Sequence, residues 1–240
     1  MRWLVLVLAL LAAPAGAACR EMAFESLPFT VCEARAGDDL RLFLNGPQGA
    51  YGGFAALQAD LGRQGQSLQF AMNAGMFQPD LSPVGLYVEA GRQLSPIVTS
   101  DGPGNFGLLP NGVFCIGDGF AVVESRRFVK RKVSCRYATQ SGPMLVIDGK
   151  LHPLFRPASD SLHIRNGVGV SADGRTAWFA ISDAQVNFDT FARFFRDGLG
   201  ARNALYFDGS VSRLYAPELG RTGAGFRIGP MVGLVVPEAG

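Results

Sequence analysis

The chain has 240 residues, of which 48% are hydrophobic and 18% are charged, and its formal net charge is +2. This composition is typical of an ordinary compact globular protein, and the small net charge gives no reason to expect a polyanionic partner. The basic run Arg126–Lys132 is the strongest candidate for a nucleic-acid contact. Because charge is balanced elsewhere, we interpret this run as a solvated strand face or a contact with an acidic surface and expect no nucleic-acid partner.

The first 18 residues predict a secretory signal peptide. Arg2 supplies the positive start, and Trp3–Ala13 is an apolar segment that is too short for a comfortable membrane span. Residues 15–17 and 16–18 both have the small-x-small form of a cleavage site. A lipoprotein anchor at Cys19 is the weaker alternative, because Gly16 stands where a branched apolar residue is usual. We therefore predict a periplasmic or extracellular protein without a transmembrane anchor after cleavage.

Four cysteines predict disulfide bonds in an exported chain. Nearest-neighbour pairing joins Cys19 to Cys32 and Cys115 to Cys135, which is one of three possible connectivities. The chain lacks the close C-x-x-C spacing that is typical of a zinc site, and a catalytic Cys–His pair is only weakly supported.

Helix and hairpin signals follow one another along the chain. Phe54, Leu57 and Leu61 have helical spacing and precede a glycine. Four hairpins are predicted: a weaker one within residues 85–97, and three at the turns 117–119, 148–149 and 173–174, where Asp-Gly pairs separate apolar runs. A second helix is predicted from Asn187 or Asp189 to Gly198 or Gly200, with a face of phenylalanines and Leu199.

The second helix lies between the apolar runs 176–182 and 204–207. This order predicts a βαβ unit near the C-terminus, with its two strands paired in parallel or nearly so. We therefore predict an α+β fold in which residues 19–240 form a single domain with a mixed, largely antiparallel sheet. Asp208 then lies just past the carboxyl end of a strand, where ligand crevices are common.

Two carboxylates are candidates for acid–base chemistry. Asp208, with Gly209 and Ser210, offers a carboxylate, a close backbone approach and a hydroxyl, although a simple Asx-type turn explains the same residues. Asp183 follows the first strand of the βαβ unit, which places it beside Asp208 across neighbouring strand ends or makes it a helix cap. Arg213 has two interpretations: it binds an anion in the site, or it pairs with an acidic residue on the surface.

Three further segments carry polar groups at strand ends. Asn73, in a segment with Gly75, can contact a sugar hydroxyl or occupy a turn. Arg165 and Asn166 precede a glycine-rich strand, and the guanidinium suits a phosphate or a carboxylate, although a surface arginine at a sheet edge is the alternative. The third segment contains the polar residues Gln140 and Ser141. It either lines a pocket or only begins a strand.

Taken in order, these segments resemble the phosphodiester glycosidase family, whose members include an enzyme that removes N-acetylglucosamine from a sugar phosphodiester. The resemblance extends over roughly residues 68–236 and is carried by NAGMF (73–77), QSGP (140–143), RNGVGV (165–170) and FDGS (207–210). It implies hydrolysis of the bond between an anomeric carbon and a phosphodiester oxygen. We expect Arg165 to bind the phosphate, Asp208 to act as nucleophile or general base, and Asn73 to hold sugar hydroxyls, with Asp183 as a second carboxylate.

The chain departs from the family pattern in two motifs. The first is commonly N-G-G-F-F, and Ala74 and Met76 replace its second and fourth residues. The last is commonly D-G-G-G-S, and Ser210 and Val211 stand where glycines are usual. Both changes narrow or reshape the pocket.

Two other functions are compatible with the same residues. One is a glycan-binding envelope protein that kept the fold and lost the chemistry. The other is a metal-dependent phosphodiesterase, for which His152 and His163 are poor ligand material, while an oxygen-only calcium or magnesium site is left open. The sequence requires no cofactor, and its expected partner is a glycan phosphodiester or a related envelope carbohydrate.

Overall fold

The computed structural model describes residues 18–238. The predicted signal peptide therefore lies, apart from Ala18, outside the described residues. No helix in the described range combines the length and the apolar character that a membrane crossing needs.

Short strands dominate the structure, and the helices are few. The strands are β1 (Cys19–Phe24), β2 (Leu27–Arg35), β3 (Leu40–Phe43), β4 (Asn45–Gly46), β5 (Gly49–Ala50), β6 (Gln66–Asn73), β7 (Tyr87–Glu89), β8 (Arg92–Ser95), β9 (Gly112–Ile116), β10 (Phe120–Glu124), β11 (Tyr137–Ser141), β12 (Met144–Ile147), β13 (Lys150–Leu151), β14 (Asn166–Val170), β15 (Thr176–Ser182), β16 (Asn203–Asp208), β17 (Leu214–Ala216), β18 (Arg221–Thr222) and β19 (Met231–Pro237). The helices are α1 (Phe54–Gly62), α2 (Gly104–Gly107), α3 (Ser125–Arg131) and α4 (Phe188–Arg193), with a π-helical turn at Phe194–Gly198 and a 3₁₀ turn at Pro217–Leu219.

Three sheets enclose one apolar core. Their strand orders are β1-β2-β15-β14-β16-β12-β13, β10-β9-β11-β7-β8 and β18-β17-β6-β19-β3, and β4 and β5 form a separate hairpin. The Phe179 ring of the first sheet lies 5.6 Å from Phe114 of the second and 5.4 Å from Phe70 of the third, measured between ring centroids. All three rings are fully buried, so aromatic packing joins the three sheets.

The predicted local elements are confirmed. Each of the four predicted hairpins is present, as the antiparallel pairs β7–β8, β9–β10, β12–β13 and β14–β15. Helix α1 buries Phe54, Leu57 and Leu61 as its spacing predicted. Helix α4 is capped by Asn187, whose side chain accepts a hydrogen bond from the Thr190 N–H.

The predicted parallel pairing within the βαβ unit is wrong. Strands β15 and β16 run in the same direction, but β14 lies between them and pairs antiparallel with both. The β14–β15 hairpin occupies one edge of β15 and β2 occupies the other, so β16 cannot pair with β15 and instead pairs with β14. Every pair among the described strands is antiparallel, which corrects the predicted mixed sheet to three antiparallel sheets.

The basic run is helical, which corrects its interpretation as a strand face. It forms most of α3, and the Glu124 carboxylate caps that helix by accepting hydrogen bonds from the Arg126 and Arg127 N–H groups. An acidic group at this position satisfies unpaired N–H groups and interacts favourably with the helix dipole.

Both nearest-neighbour disulfides are present, Cys19–Cys32 and Cys115–Cys135. The first joins directly opposed residues of the β1–β2 hairpin. Two disulfides are typical of proteins that fold in an oxidising compartment.

Candidate active site

Three strand ends meet where the first and third sheets approach each other. Asn73 ends β6, Asn166 begins β14, and Asp208 ends β16 directly opposite Asn166. The Asn166 amide donates hydrogen bonds to the backbone oxygen and to Oδ1 of Asn73, both at 2.9 Å. The fold therefore brings these three predicted site residues together.

The Asp208 carboxylate has one fixed oxygen and one free oxygen. Its Oδ1 accepts hydrogen bonds from the N–H groups of Gly209 at 2.6 Å, Ser210 at 2.7 Å and Val211 at 3.3 Å. Within residues 18–238, Oδ2 has no hydrogen-bond partner. Burial raises the pKa of Asp208 above its ordinary value, and the three N–H groups oppose this effect without cancelling it.

A cavity of about 410 Å³ opens beside this carboxylate. Its volume lies within the range of small-molecule sites. One part of its wall is apolar and the other is polar, and its lining consists of Met76, Phe77, Val84, Asn105, Tyr206, Asp208, Ser210 and Val211.

Tyr206 and Asn105 are polar wall residues outside the set predicted from the sequence. Tyr206 precedes Asp208 by two residues on β16, and residues at this spacing face the same side of a strand, so that signal was available. Asn105 lies in the short helix α2, where the sequence has no comparable signal.

Gly209 allows the Tyr206 hydroxyl to lie against the Asp208 turn. A Cβ atom at position 209 would lie only 2.2 Å from Tyr206 Oη. Burial raises the pKa of Tyr206 above its ordinary value, while the charge of Arg165 acts in the opposite direction. The turn therefore requires glycine for close packing against Tyr206.

Arg165 lies behind the cavity wall. It is fully buried, its Nε donates to the Val186 carbonyl at 2.8 Å, and its Nη2 donates to the Ser161 carbonyl at 2.8 Å. The guanidinium carbon stands 3.7 Å from the Phe188 ring centroid and 5.4 Å from that of Tyr206. Burial lowers the pKa of Arg165. Arg165 is thus next to Tyr206, and the cavity lining does not include it.

Asp183 has partners of its own. Its Oδ1 accepts from Arg221 at 2.5 Å, and its Oδ2 accepts from the Thr30 hydroxyl at 2.7 Å. Because β14 separates β15 from β16, Asp183 follows a strand end that lies two strand spacings from that of Asp208, or about 10 Å. The expected placement at neighbouring strand ends is therefore wrong, and both oxygens of Asp183 are engaged.

Gln140, Ser141 and Gly75 hold strand ends in place. The Gln140 amide accepts from two N–H groups, donates to the Val98 carbonyl and donates to the Ser125 hydroxyl. Ser141 Oγ donates to the Phe207 carbonyl at 3.0 Å. Gly75 has a φ of +142° and packs against β11. The three residues support the site, and the cavity lining includes none of them.

Arg213 and Asn73 contribute mainly through the backbone and buried contacts. The Arg213 N–H donates to Asn73 Oδ1 at 2.8 Å, while the Arg213 guanidinium contacts the carbonyls of Gly223 and Ala224. Asn73 is fully buried, and its Nδ2 has no hydrogen-bond partner in the described range. Ser210, another of the predicted site residues, is exposed and lines the cavity.

The described residues contain no group of three or more His, Cys, Asp or Glu side chains that could hold a metal ion. His152 is buried, its Nε2 lies 3.1 Å from the Leu109 carbonyl, and its ring stacks on Phe155. Burial lowers the pKa of His152. These contacts are those of a structural histidine.

A family model described as phosphodiester glycosidase matches residues 66–227. "Uncharacterized protein YigE" of Escherichia coli (strain K12) is 40% identical over 167 residues, which are 69% of this chain and 65% of that protein. The match therefore spans just under two thirds of that relative's length.

Two solved structures share the fold. The zebrafish N-acetylglucosamine-1-phosphodiester alpha-N-acetylglucosaminidase catalytic domain, auto-inhibited by its pro-peptide, is 14% identical with a TM-score of 0.61, covering 90% of this chain and 81% of that one. A hypothetical protein from Synechocystis is 17% identical with a TM-score of 0.60, covering 91% of this chain and 61% of that one.

The family model covers most of the chain and contains the three strand ends that carry Asn73, Asn166 and Asp208. The structural likeness extends over nine tenths of the chain. This chain belongs to the phosphodiester glycosidase family.

Proposed function

We propose that this chain is an exported phosphodiester glycosidase, which hydrolyses the bond between the anomeric carbon of a sugar and a phosphodiester oxygen. The observation that carries the proposal is the free Oδ2 of Asp208 on the wall of a sugar-sized cavity. Three N–H groups hold Oδ1 and thereby orient Oδ2. Family membership indicates the class of reaction.

In this reaction the C1–O bond breaks and its electron pair stays on the phosphate oxygen, giving a free sugar and a phosphate monoester. Asp208 either attacks C1 to form a glycosyl intermediate that water then cleaves, or removes a proton from the water that attacks C1. In both routes the hydroxyl that ends on C1 comes from water, and the remaining proton passes to the phosphate product or to solvent. Because a phosphate leaving group needs little protonation, one carboxylate near a positive charge suffices.

The substrate is a glycan phosphodiester of the envelope or of the extracellular space. The N-terminal segment and the two disulfides support export. Met76, Ser210 and Val211, which replace the usual family residues, all belong to the cavity lining. These replacements support a pocket of different shape, and hence a sugar or aglycone particular to this chain.

A turnover assay that measures free sugar released from sugar-1-phosphodiesters tests the proposal, with Asp208→Asn beside the wild type. The side-chain amide oxygen of this variant can still accept hydrogen bonds from the three backbone N–H groups, so the turn is retained while the negative charge is lost. Loss of the acting carboxylate is expected to lower kcat by about 10²–10⁴.

Asp173→Asn is the matched control, because Asp173 also accepts hydrogen bonds in a tight turn, from Ser171 and Arg175, and the cavity lining does not include it. It should keep wild-type turnover. Free sugar released by wild type and by Asp208→Asn alike would place the chemistry on another residue. Absence of release from every substrate, with glycan binding intact, would favour a binding protein.

A further inference from the structure

Tyr206 presents its hydroxyl at the turn that carries the Asp208 carboxylate. Both residues line the cavity and both stand at the end of β16. The Tyr206 ring is fixed edge-to-face against Phe188, with 4.8 Å between ring centroids. Its hydroxyl is the atom that a side chain at position 209 would strike. The position of this hydroxyl is therefore set by packing on two sides.

The Arg165 guanidinium behind Tyr206 carries a positive charge without a carboxylate partner. Among the described residues, Arg165 forms no salt bridge with a carboxylate. Two of its nitrogens donate to backbone carbonyls, and Nη1 is buried without a hydrogen-bond partner among residues 18–238. Burying a charge that has no ionic partner is costly. A buried positive charge is thus held one side chain away from the cavity.

We propose that Tyr206 is a further catalytic residue, whose hydroxyl donates a hydrogen bond to the phosphate oxygen that leaves the sugar, and that Arg165 is the positioning residue that orients and polarises this hydroxyl. The inference rests on the proposed function. The guanidinium carbon lies 5.4 Å from the Tyr206 ring centroid and Nη1 has no partner among residues 18–238, so this N–H is available to the phenol oxygen, and a phenol can accept one hydrogen bond while donating another to a ligand. Burial raises the pKa of Tyr206, so the hydroxyl keeps its proton at neutral pH.

This arrangement differs from direct binding of phosphate by Arg165. The arginine has no exposed surface, and Phe188 and two backbone carbonyls hold it in place. The cavity lining includes the tyrosine and does not include the arginine. A fixed donor aimed at an oxygen that gains negative charge stabilises the transition state more than the ground state.

The first test is Tyr206→Phe, which removes the hydroxyl and keeps the ring that packs against Phe188. Removal of one such donor is expected to lower kcat by about 10²–10³ with little change in KM. Tyr87→Phe is the matched control, because it removes a buried hydroxyl that donates to Glu89 at 3.0 Å and lies outside the cavity lining. Wild-type kcat is expected for this control.

Leaving-group dependence separates catalysis from a structural role. A nitrophenyl substituent withdraws electrons from the departing phosphate more than an alkyl substituent does, so departure of the nitrophenyl phosphate depends less on the donor. Tyr206→Phe is therefore expected to slow the alkyl substrate more than the nitrophenyl substrate. Equal slowing of both substrates would contradict hydrogen bonding to the leaving oxygen.

A double-mutant cycle tests the part assigned to Arg165. Arg165→Lys keeps the positive charge and loses the planar guanidinium with its fixed N–H donors. In the wild-type background, kcat is expected to fall about tenfold. In the Tyr206→Phe background the same substitution should have little further effect on kcat. Independent, multiplicative effects on kcat would overturn the positioning role.

Titration with inorganic phosphate keeps this inference distinguishable from the proposed function. Wild type is expected to bind phosphate, and Tyr206→Phe to bind it about tenfold more weakly. Full turnover by Tyr206→Phe beside an inactive Asp208→Asn would overturn the inference and leave the proposed function intact. If wild type cleaves no sugar phosphodiester, the titration still decides: equal affinity in both proteins, or no binding by wild type, overturns the inference.

Discussion

Asp208 and Asp183 occupy equivalent places in the first sheet and have different surroundings. Asp208 is the last residue of β16, Asp183 directly follows the last residue of β15, and the two strands run in the same direction. Asp183 is engaged on both oxygens, by Arg221 and by Thr30. Asp208 receives backbone N–H groups on one oxygen and leaves the other beside the cavity.

The difference shows that position at a strand end does not by itself make a carboxylate reactive. Hydrogen bonds from cationic partners stabilise the ionised form and occupy its lone pairs, whereas burial without such a partner raises the pKa. Asp208 is buried without a cationic partner, and burial raises its pKa. Of the two, only Asp208 has an oxygen available for a substrate.

Gly209→Ala is expected to disturb the surroundings of Asp208 most strongly without altering the carboxylate itself. The added methyl group would lie 2.2 Å from Tyr206 Oη and must displace the hydroxyl or the turn. Activity is expected to fall by about 10², and the free energy of unfolding by about 1–3 kcal/mol. Kinetic assays and urea unfolding measure the two effects.

Gly62→Ala is the control for this substitution, because a Cβ atom at position 62 meets no atom within 4 Å and the residue ends α1. Alanine is also the better helix former, so stability should be unchanged or slightly higher. Normal activity in Gly209→Ala would show that the close contact with Tyr206 has no functional importance.

Asp183→Asn tests the second carboxylate of this comparison. It weakens a partly exposed ion pair with Arg221, so we expect a loss of about 1 kcal/mol in the free energy of unfolding. Turnover should remain within about threefold of wild type, since the cavity lining does not include Asp183. A large loss of activity with unchanged stability would instead make Asp183 a second catalytic carboxylate.

The smallest predicted effect is a shift in the pH dependence of kcat/KM. Because burial raises the pKa of Asp208, the acidic limb of kcat/KM should lie above the ordinary aspartate value of about 4. The limb should persist in Asp183→Asn. A limb at or below the ordinary value would indicate that another group controls activity.

The same pKa shift has a consequence for stability. A folded-state pKa above the unfolded value means that the folded protein binds the Asp208 proton more tightly, so this stabilisation is complete at low pH and is lost as pH rises through the folded pKa. Asp208→Asn should therefore be at least as stable as wild type at neutral pH. Urea unfolding across the acidic range measures this difference.

Local features of the fold were predictable from the sequence. Asp-Gly turns predicted their hairpins because the turn geometry depends on the residues of the turn itself. The insertion of β14 between β15 and β16 was not predicted, since strand order depends on contacts between distant segments. The basic run is helical and not extended, and the Glu124 carboxylate caps the helix that it forms.

The candidate site was predictable only in part. Asn73, Asn166 and Asp208 follow from short motifs, and the structure brings them together. The burial of Arg165 could not be predicted, because it depends on Val186, in the connection between β15 and α4, and on Phe188, the first residue of α4. Tyr206 was overlooked even though its spacing from Asp208 places it on the same face of the strand.

The central claim, that Asp208 and not Asp183 is the acting carboxylate, is tested most directly by the turnover of Asp208→Asn and Asp183→Asn on one sugar-1-phosphodiester. We predict a loss of about 10²–10⁴ in kcat for Asp208→Asn and a change within about threefold for Asp183→Asn. Equal losses in the two variants, or a larger loss in Asp183→Asn, would contradict this account.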